Sequence, residues 1–157
     1  MPTNAAWDEH EAKTIIDLHK GREGALLPIL HDLQAAFGCV PPAAVRVVAD
    51  ALNLSRAEVH GIVTFYHDFR EQPAGRHVLK LCRAEACQSM GGEALARRTL
   101  DQLGLEWGDT TPDGRLTVEA VYCLGLCACA PSALLDGEPI GRLTPKALDD
   151  IAAEVGP

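Results

Sequence analysis

Two pairs of cysteines carry the chemistry that is legible in this chain. Cys82 and Cys87 have four residues between them, and Cys123 and Cys127 have three. Thiolate sulfur is a soft ligand that selects Zn(II), Cu(I) or iron–sulfur clusters. Four thiolates at the ends of two elements suit one tetrahedral zinc or one [2Fe–2S] rhomb. Structural zinc usually takes closer pairs of the C-x-x-C kind, whereas a four-residue first gap is that of plant-type ferredoxins. The spacing therefore favours a cluster, with zinc as the alternative. Cys127-Ala128-Cys129 offers two sulfurs in a short stretch, and by chemistry alone either could be the fourth ligand. A thioredoxin-type redox dithiol needs C-x-x-C, which is absent. A Rieske site would replace two cysteines by histidines, and none of the six histidines falls in either loop. His31, His60 and His67 read as helix-surface or packing residues, and Cys39 as a buried apolar one.

The totals bound what these thiols can serve. A chain of 157 residues makes one ordinary domain or two small ones. Its 47% apolar and 23% charged residues are those of a soluble protein. A net charge of −8 argues against nucleic acid and against anionic membrane surfaces, which call for clustered Lys and Arg. No apolar run approaches the roughly 18 residues of a membrane-spanning helix. The stretch Met1–His10 lacks the basic start and apolar core of a secretory signal. The expectation is a cytoplasmic protein, where reduced cysteines bind metal more often than they form disulfides.

The elements that must position the sulfurs fall into two grammars. Residues 1–72 read as a helical bundle, assigned to docking. A first helix is expected over about residues 8–20. Leu26, Leu30, Leu33 and Phe37 recur at helical spacing between Pro28 and Gly38. Val45, Val48 and Leu52 form a second stripe ending at Asn53. Ser55-Arg56-Ala57-Glu58 is a capping box that opens a helix through Val59, Val63 and Tyr66. Glu71-Gln72-Pro73-Ala74-Gly75 reads as a linker.

Residues 73–157 switch to strand–helix–strand–strand–helix. His77–Cys82 is a strand ending in the first candidate ligand, and a helix follows over about residues 89–103. Arg115–Tyr122 is a strand that delivers Cys123. Asp136-Gly137 signals a hairpin, Pro139 marks its second arm as an edge strand, and Thr144-Pro145 opens the last helix. The fold class is α+β: a helical bundle, then a thioredoxin-like β-α-β-β-α domain with a mixed sheet. In such sheets functional groups gather beyond the carboxyl ends of parallel strands, where both cysteine pairs fall.

The pattern Cys82-x4-Cys87 … Cys123-x3-Cys127, followed by Ala130-Pro131, resembles the thioredoxin-like [2Fe–2S] subunit family of respiratory complex I, the 24-kDa subunit. Val63-Thr64-Phe65-Tyr66-His67-Asp68-Phe69 in the helical half matches too. Within that family the stretches 82–91 and 123–133 look most like the gamma subunit of soluble, NAD-dependent, molybdenum-containing formate dehydrogenases. The resemblance implies one [2Fe–2S] cluster on Cys82, Cys87, Cys123 and Cys127, with Cys129 as the spare. It implies an electron-transfer subunit without a substrate site. Its partners would be a flavin subunit that binds FMN and NADH, and a large subunit carrying the molybdenum cofactor and iron–sulfur centres. A complex I or NAD-linked hydrogenase subunit is the alternative.

Further expectations concern the loops. Gly125 permits a tight turn, amides following Cys87 are placed to face a negatively charged cluster, and Arg83 and Glu85 are loop charges of opposite sign. Pro131 is expected to hold the loop through a fixed dihedral, and whether its bond is cis stays open in the sequence. Phe65, Tyr66 and Phe69 supply aromatic surface, part of which is expected to pack against the flavin subunit, with a contact to residues 77–157 as the equal alternative.

Overall fold

Local rules for starting and stopping helices shape the first part of the chain. The structure, a computed structural model, describes residues 6–155. It divides into two compact units between Pro73 and Ala74. In the first, α1 (Glu9–His19) is capped by Asp8, whose carboxylate accepts from the amides of His10 and Glu11. Helix α2 (Leu26–Phe37) stops at Gly38, whose φ of 77° only glycine adopts freely. Helix α3 (Pro42–Leu52) begins with proline and ends at Asn53, which is also left-handed. Helix α4 (Arg56–Phe65) carries the complete capping box: Ser55 Oγ accepts from the Glu58 amide, and the Glu58 carboxylate accepts from the Ser55 amide. Ser55→Ala is expected to cost about 1 kcal/mol, read as a lower melting temperature of this unit.

The apolar faces of these helices close on Ile16, Ile29, Leu30, Leu33, Phe37, Val48 and Val59, all essentially buried. Two expectations are corrected here. Helix α4 ends one residue early, because Tyr66 turns to an extended backbone. Phe69 is core rather than surface. Its ring packs on His31 with centroids 4.9 Å apart, and only 7% of it is exposed. Gln34 causes this, donating to the Asp68 carbonyl and accepting from the Arg70 amide, while Val40 donates to the Arg70 carbonyl. The segment after α4 is thus laced back onto α2.

The second unit is a four-stranded mixed sheet in the order β2-β1-β3-β4, with two long helices. Strand β1 (His77–Cys82) pairs in parallel with β2 (Leu116–Val121), Cys82 opposite Val121. Strand β3 (Ala133–Leu135) runs antiparallel to β1, and β4 (Glu138–Ile140) antiparallel to β3. Asp136 and Gly137 both take positive φ, as a two-residue turn of the primed type requires. Pro139 sits on the edge strand, as expected.

Period-two alternation sends Leu79, Leu81, Leu116 and Val118 into one buried cluster with Ala96 and Leu100 of α6 (Gly92–Leu103) and Leu148 and Val155 of α7 (Pro145–Val155). Lys80 and Glu119, a register pair from the intervening positions, face each other at 3.7 Å. The crossover from β1 to β2 differs from the single helix expected. A short α5 (Glu85–Ser89) comes first, and Gly91, at φ 84°, breaks it from α6. Gly75 is not free linker: it is buried, and its amide donates to Thr117 Oγ1 at 2.6 Å. Among the described residues no helix is long and apolar enough to cross a membrane.

Candidate metal centre

Parallel pairing of β1 with β2 brings the two cysteine stretches to one end of the sheet. Cys82 is the last residue of β1, and Cys123 lies just past Val121, its register partner. The Arg83 amide donates to the Val121 carbonyl and the Cys82 amide to the Ser132 carbonyl, so both loops are tied at the strand ends. Cys87 lies within α5, and Cys127 opens a short 3-10 turn to Cys129. The loop between Cys123 and Cys127 turns through two left-handed positions, Cys123 at φ 74° and Gly125 at φ 75°. A cysteine held there costs about 1–2 kcal/mol in backbone energy, and such strain gathers where a side chain must be aimed.

The four sulfurs form an inner and an outer pair. Cys82 and Cys87 are 6% and 2% exposed, whereas Cys123 and Cys127 are open to solvent. The sulfurs of Cys123 and Cys127 stand 3.7 Å apart. Burial pushes the Cys82 thiol up. Hydrogen bonds from the Ala84 amide, the Cys87 thiol and the amides of Cys123 and Leu124 together outweigh it, leaving Cys82 below the ordinary thiol range. Cys127 moves the other way. Its hydrogen bond to Cys123 and that neighbour's charge come first, then burial, then the charges of Cys87 and Cys82. Each pair therefore feels the other. Thiolates that hinder one another's ionisation are a donor set that positive metal ions stabilise. Among the described residues no three His, Cys, Asp or Glu side chains close on a single point. The sulfurs stand as two pairs, Cys82 with Cys87 and Cys123 with Cys127.

The sequence expectations divide accordingly. The four predicted cysteines lie at one end of the sheet, as two pairs. Cys129 is half-buried and packs against Gly141, where a Cβ would come within 2.7 Å of the Cys129 Cβ. Its carbonyl accepts from the Arg142 amide. Cys39 is buried in the helical unit, and burial pushes its thiol up. All six cysteines are free, without disulfides. The Ala130–Pro131 bond, which the sequence left open, is cis. Cys87 lies in the middle of α5, and the amides on Cys82 come from Ala84, Cys123 and Leu124. Arg83 is held rather than loose. Its guanidinium stacks 4.9 Å from the Trp107 ring centroid and pairs with Glu93 at 3.3 Å, while Glu85 is exposed. Sequence reasoning missed Ser132, a buried hydroxyl 3.5 Å from the Cys87 sulfur. Nothing local marks it, because the contact joins residues 45 positions apart.

Comparison with known proteins finds relatives over most of the chain. A solved NAD+-reducing [NiFe]-hydrogenase in its air-oxidised state superposes with a TM-score of 0.70 and 27% identity, over 83% of this chain and 22% of that one. The HndA component of the NADP-reducing hydrogenase of Solidesulfovibrio fructosivorans is 35% identical, over 85% of this chain and 78% of its own. A component of the NADH-quinone oxidoreductase of Mycobacterium tuberculosis is 34% identical, over 91% of this chain, which spans only 57% of that relative. Its counterpart in the NADH-quinone oxidoreductase of Escherichia coli K12 is 33% identical, over 81% of this chain and 76% of its own. The family model for thioredoxin-like [2Fe–2S] ferredoxins matches residues 12–156. The chain belongs to that family, the thioredoxin-like [2Fe–2S] ferredoxins.

Proposed function

We propose that Cys82, Cys87, Cys123 and Cys127 hold one [2Fe–2S] cluster, and that the chain relays single electrons inside an NAD-linked oxidoreductase. The observation that carries this reading is the meeting of two cysteine pairs at the carboxyl ends of two parallel strands, in a fold of this family. When bound, such a centre accepts and returns one electron at a time. The chain's residues supply the rest. The amides of Ala84, Cys123 and Leu124 stabilise anionic sulfur at Cys82, and burial of the inner pair excludes water from one side. The exposed outer pair, next to Tyr122, which is 66% exposed, is the side that a redox partner reaches. No organic substrate is expected on this chain.

The partner is a flavin subunit that binds FMN and NADH. For the parent complex we infer a cytoplasmic formate dehydrogenase, whose large subunit carries the molybdenum cofactor. The resemblance of residues 82–91 and 123–133 to the gamma subunits of those enzymes supports this. The names of its relatives favour a second reading, as part of a hydrogenase or of an NADH-quinone oxidoreductase. The deciding experiment is iron, zinc and acid-labile sulfide content of the anaerobically purified chain, EPR after dithionite reduction, and co-purification from the native host. Equal iron and sulfide with a rhombic S = 1/2 signal supports the cluster. One zinc without sulfide would leave a structural module, and the associated large subunit names the complex.

The helical unit is proposed to dock the flavin subunit. Phe65 and Tyr66 are 71% and 41% exposed, with ring centroids 5.2 Å apart, an aromatic pair outside the core. Phe65→Glu is expected to cut co-purification with the flavin subunit at least about tenfold, as for a central interface aromatic, while leaving the melting temperature unchanged. Undiminished co-purification would assign docking elsewhere.

A further inference from the structure

One residue touches both inner cysteines. Ser132 is 2% exposed and lies just before β3, whose Ala133 is the register partner of Leu81. That pairing fixes it beside the end of β1. Its carbonyl accepts from the Cys82 amide at 3.0 Å, and its Oγ lies 3.5 Å from the Cys87 Sγ. Between a thiol and a hydroxyl either group can donate. A cysteine bound to metal has lost its proton, so the serine O–H must then be the donor.

We propose that Ser132 is a positioning residue of the electron-transfer centre, whose hydroxyl hydrogen-bonds the Cys87 sulfur and raises the reduction potential. The proposal rests on Cys87 being a ligand. Reduction adds one negative charge, and a donor aimed at a ligand sulfur stabilises the reduced form more than the oxidised one. No bond forms or breaks at Ser132, and its hydroxyl keeps its proton in both states. Among the residues around the centre this contact is distinct in kind. The amides on Cys82 are backbone and survive any substitution but proline, whereas the hydroxyl on Cys87 is a side chain that substitution can remove.

The test compares Ser132→Thr, which keeps the hydroxyl, with Ser132→Val, which puts a methyl group in its place at nearly equal volume. Full-length, cluster-loaded proteins are titrated against redox mediators and read by EPR. The reduction equilibrium constant is expected to fall roughly fivefold in Ser132→Val relative to Ser132→Thr, the worth of a hydrogen bond, where tenfold would be about 59 mV for one electron. After exchange into D2O, pulsed EPR is expected to show an electron–deuteron coupling in Ser132→Thr that Ser132→Val lacks. Loss of the cluster from the valine variant alone also supports the role, since only the hydroxyl separates the two. If both variants prove too bulky to load, Ser132→Ala against the unaltered protein reads the same differences. Equal potentials and equal deuteron couplings in loaded variants overturn the proposal. Failure of the ligand reading looks different: Cys87→Ala would then retain full iron and sulfide.

Discussion

Cys127→Ala is expected to lose the iron and sulfide of the purified protein, while Cys129→Ala keeps both. The two thiols lie two positions apart in one 3-10 turn, so composition and local propensity do not separate them. Their surroundings do. Cys127 stands 3.7 Å from the sulfur of Cys123 and feels the charges of Cys87 and Cys82. Cys129 instead packs against Gly141 and anchors Arg142 through its carbonyl. Removing one of four thiolates opens a coordination position to water and leaves the other three sulfurs repelling one another. Even changes to residues that only support a ligand lower metal affinity about 10–100-fold, so loss of a ligand exceeds the upper part of that range. The same loss is expected for Cys82→Ala, Cys87→Ala and Cys123→Ala, measured as iron and sulfide per chain and as the reduced EPR signal. Full loading in Cys127→Ala with loss in Cys129→Ala would reassign the fourth ligand to Cys129.

The frame of this centre was legible because it is built from local rules. Strand signals ending at Cys82 and before Cys123 placed both pairs at one sheet end, once a helix between them implied parallel pairing. Asp136-Gly137 and Ser55–Glu58 each carried their own geometry in a few residues. What escaped was set by contacts distant in sequence. Phe69 read as surface because nothing nearby shows that Gln34 draws its segment onto α2. The break between α5 and α6 escaped because the helix expected over about residues 89–103, on Met90, Leu95, Leu100 and Leu103, was carried straight across Gly91. Ser132 stood in a motif noted for its proline, and its partner is on another element.

That unexpected break makes Gly92 the second sensitive position. Gly92 starts α6 with an ordinary helical backbone, so alanine there meets no conformational penalty. Space is the obstacle. An added Cβ would lie 2.6 Å from the carbonyl oxygen of Cys87, 3.1 Å from its carbonyl carbon and 3.4 Å from its Cβ. Two of these are backbone atoms of α5, which cannot swing aside as a side chain can, so relief requires α5 to shift and to carry Cys87 with it. Overpacking of this kind costs about 1–3 kcal/mol, and each kcal/mol lowers the melting temperature of a domain this size by about 4–8 °C. Gly92→Ala is therefore expected to melt early and also to load iron poorly, because the displaced residue is a proposed ligand. Gly91→Ala is the control. Its φ of 84° makes alanine strained by about 1–2 kcal/mol, yet nothing lies within 4 Å of the new Cβ. It should lose similar stability while keeping its iron, sulfide and EPR signal. Comparable melting with divergent iron content would trace cluster retention to the contact between α6 and the Cys87 backbone. Equal iron in both would mean that α5 absorbs the added methyl without moving its sulfur.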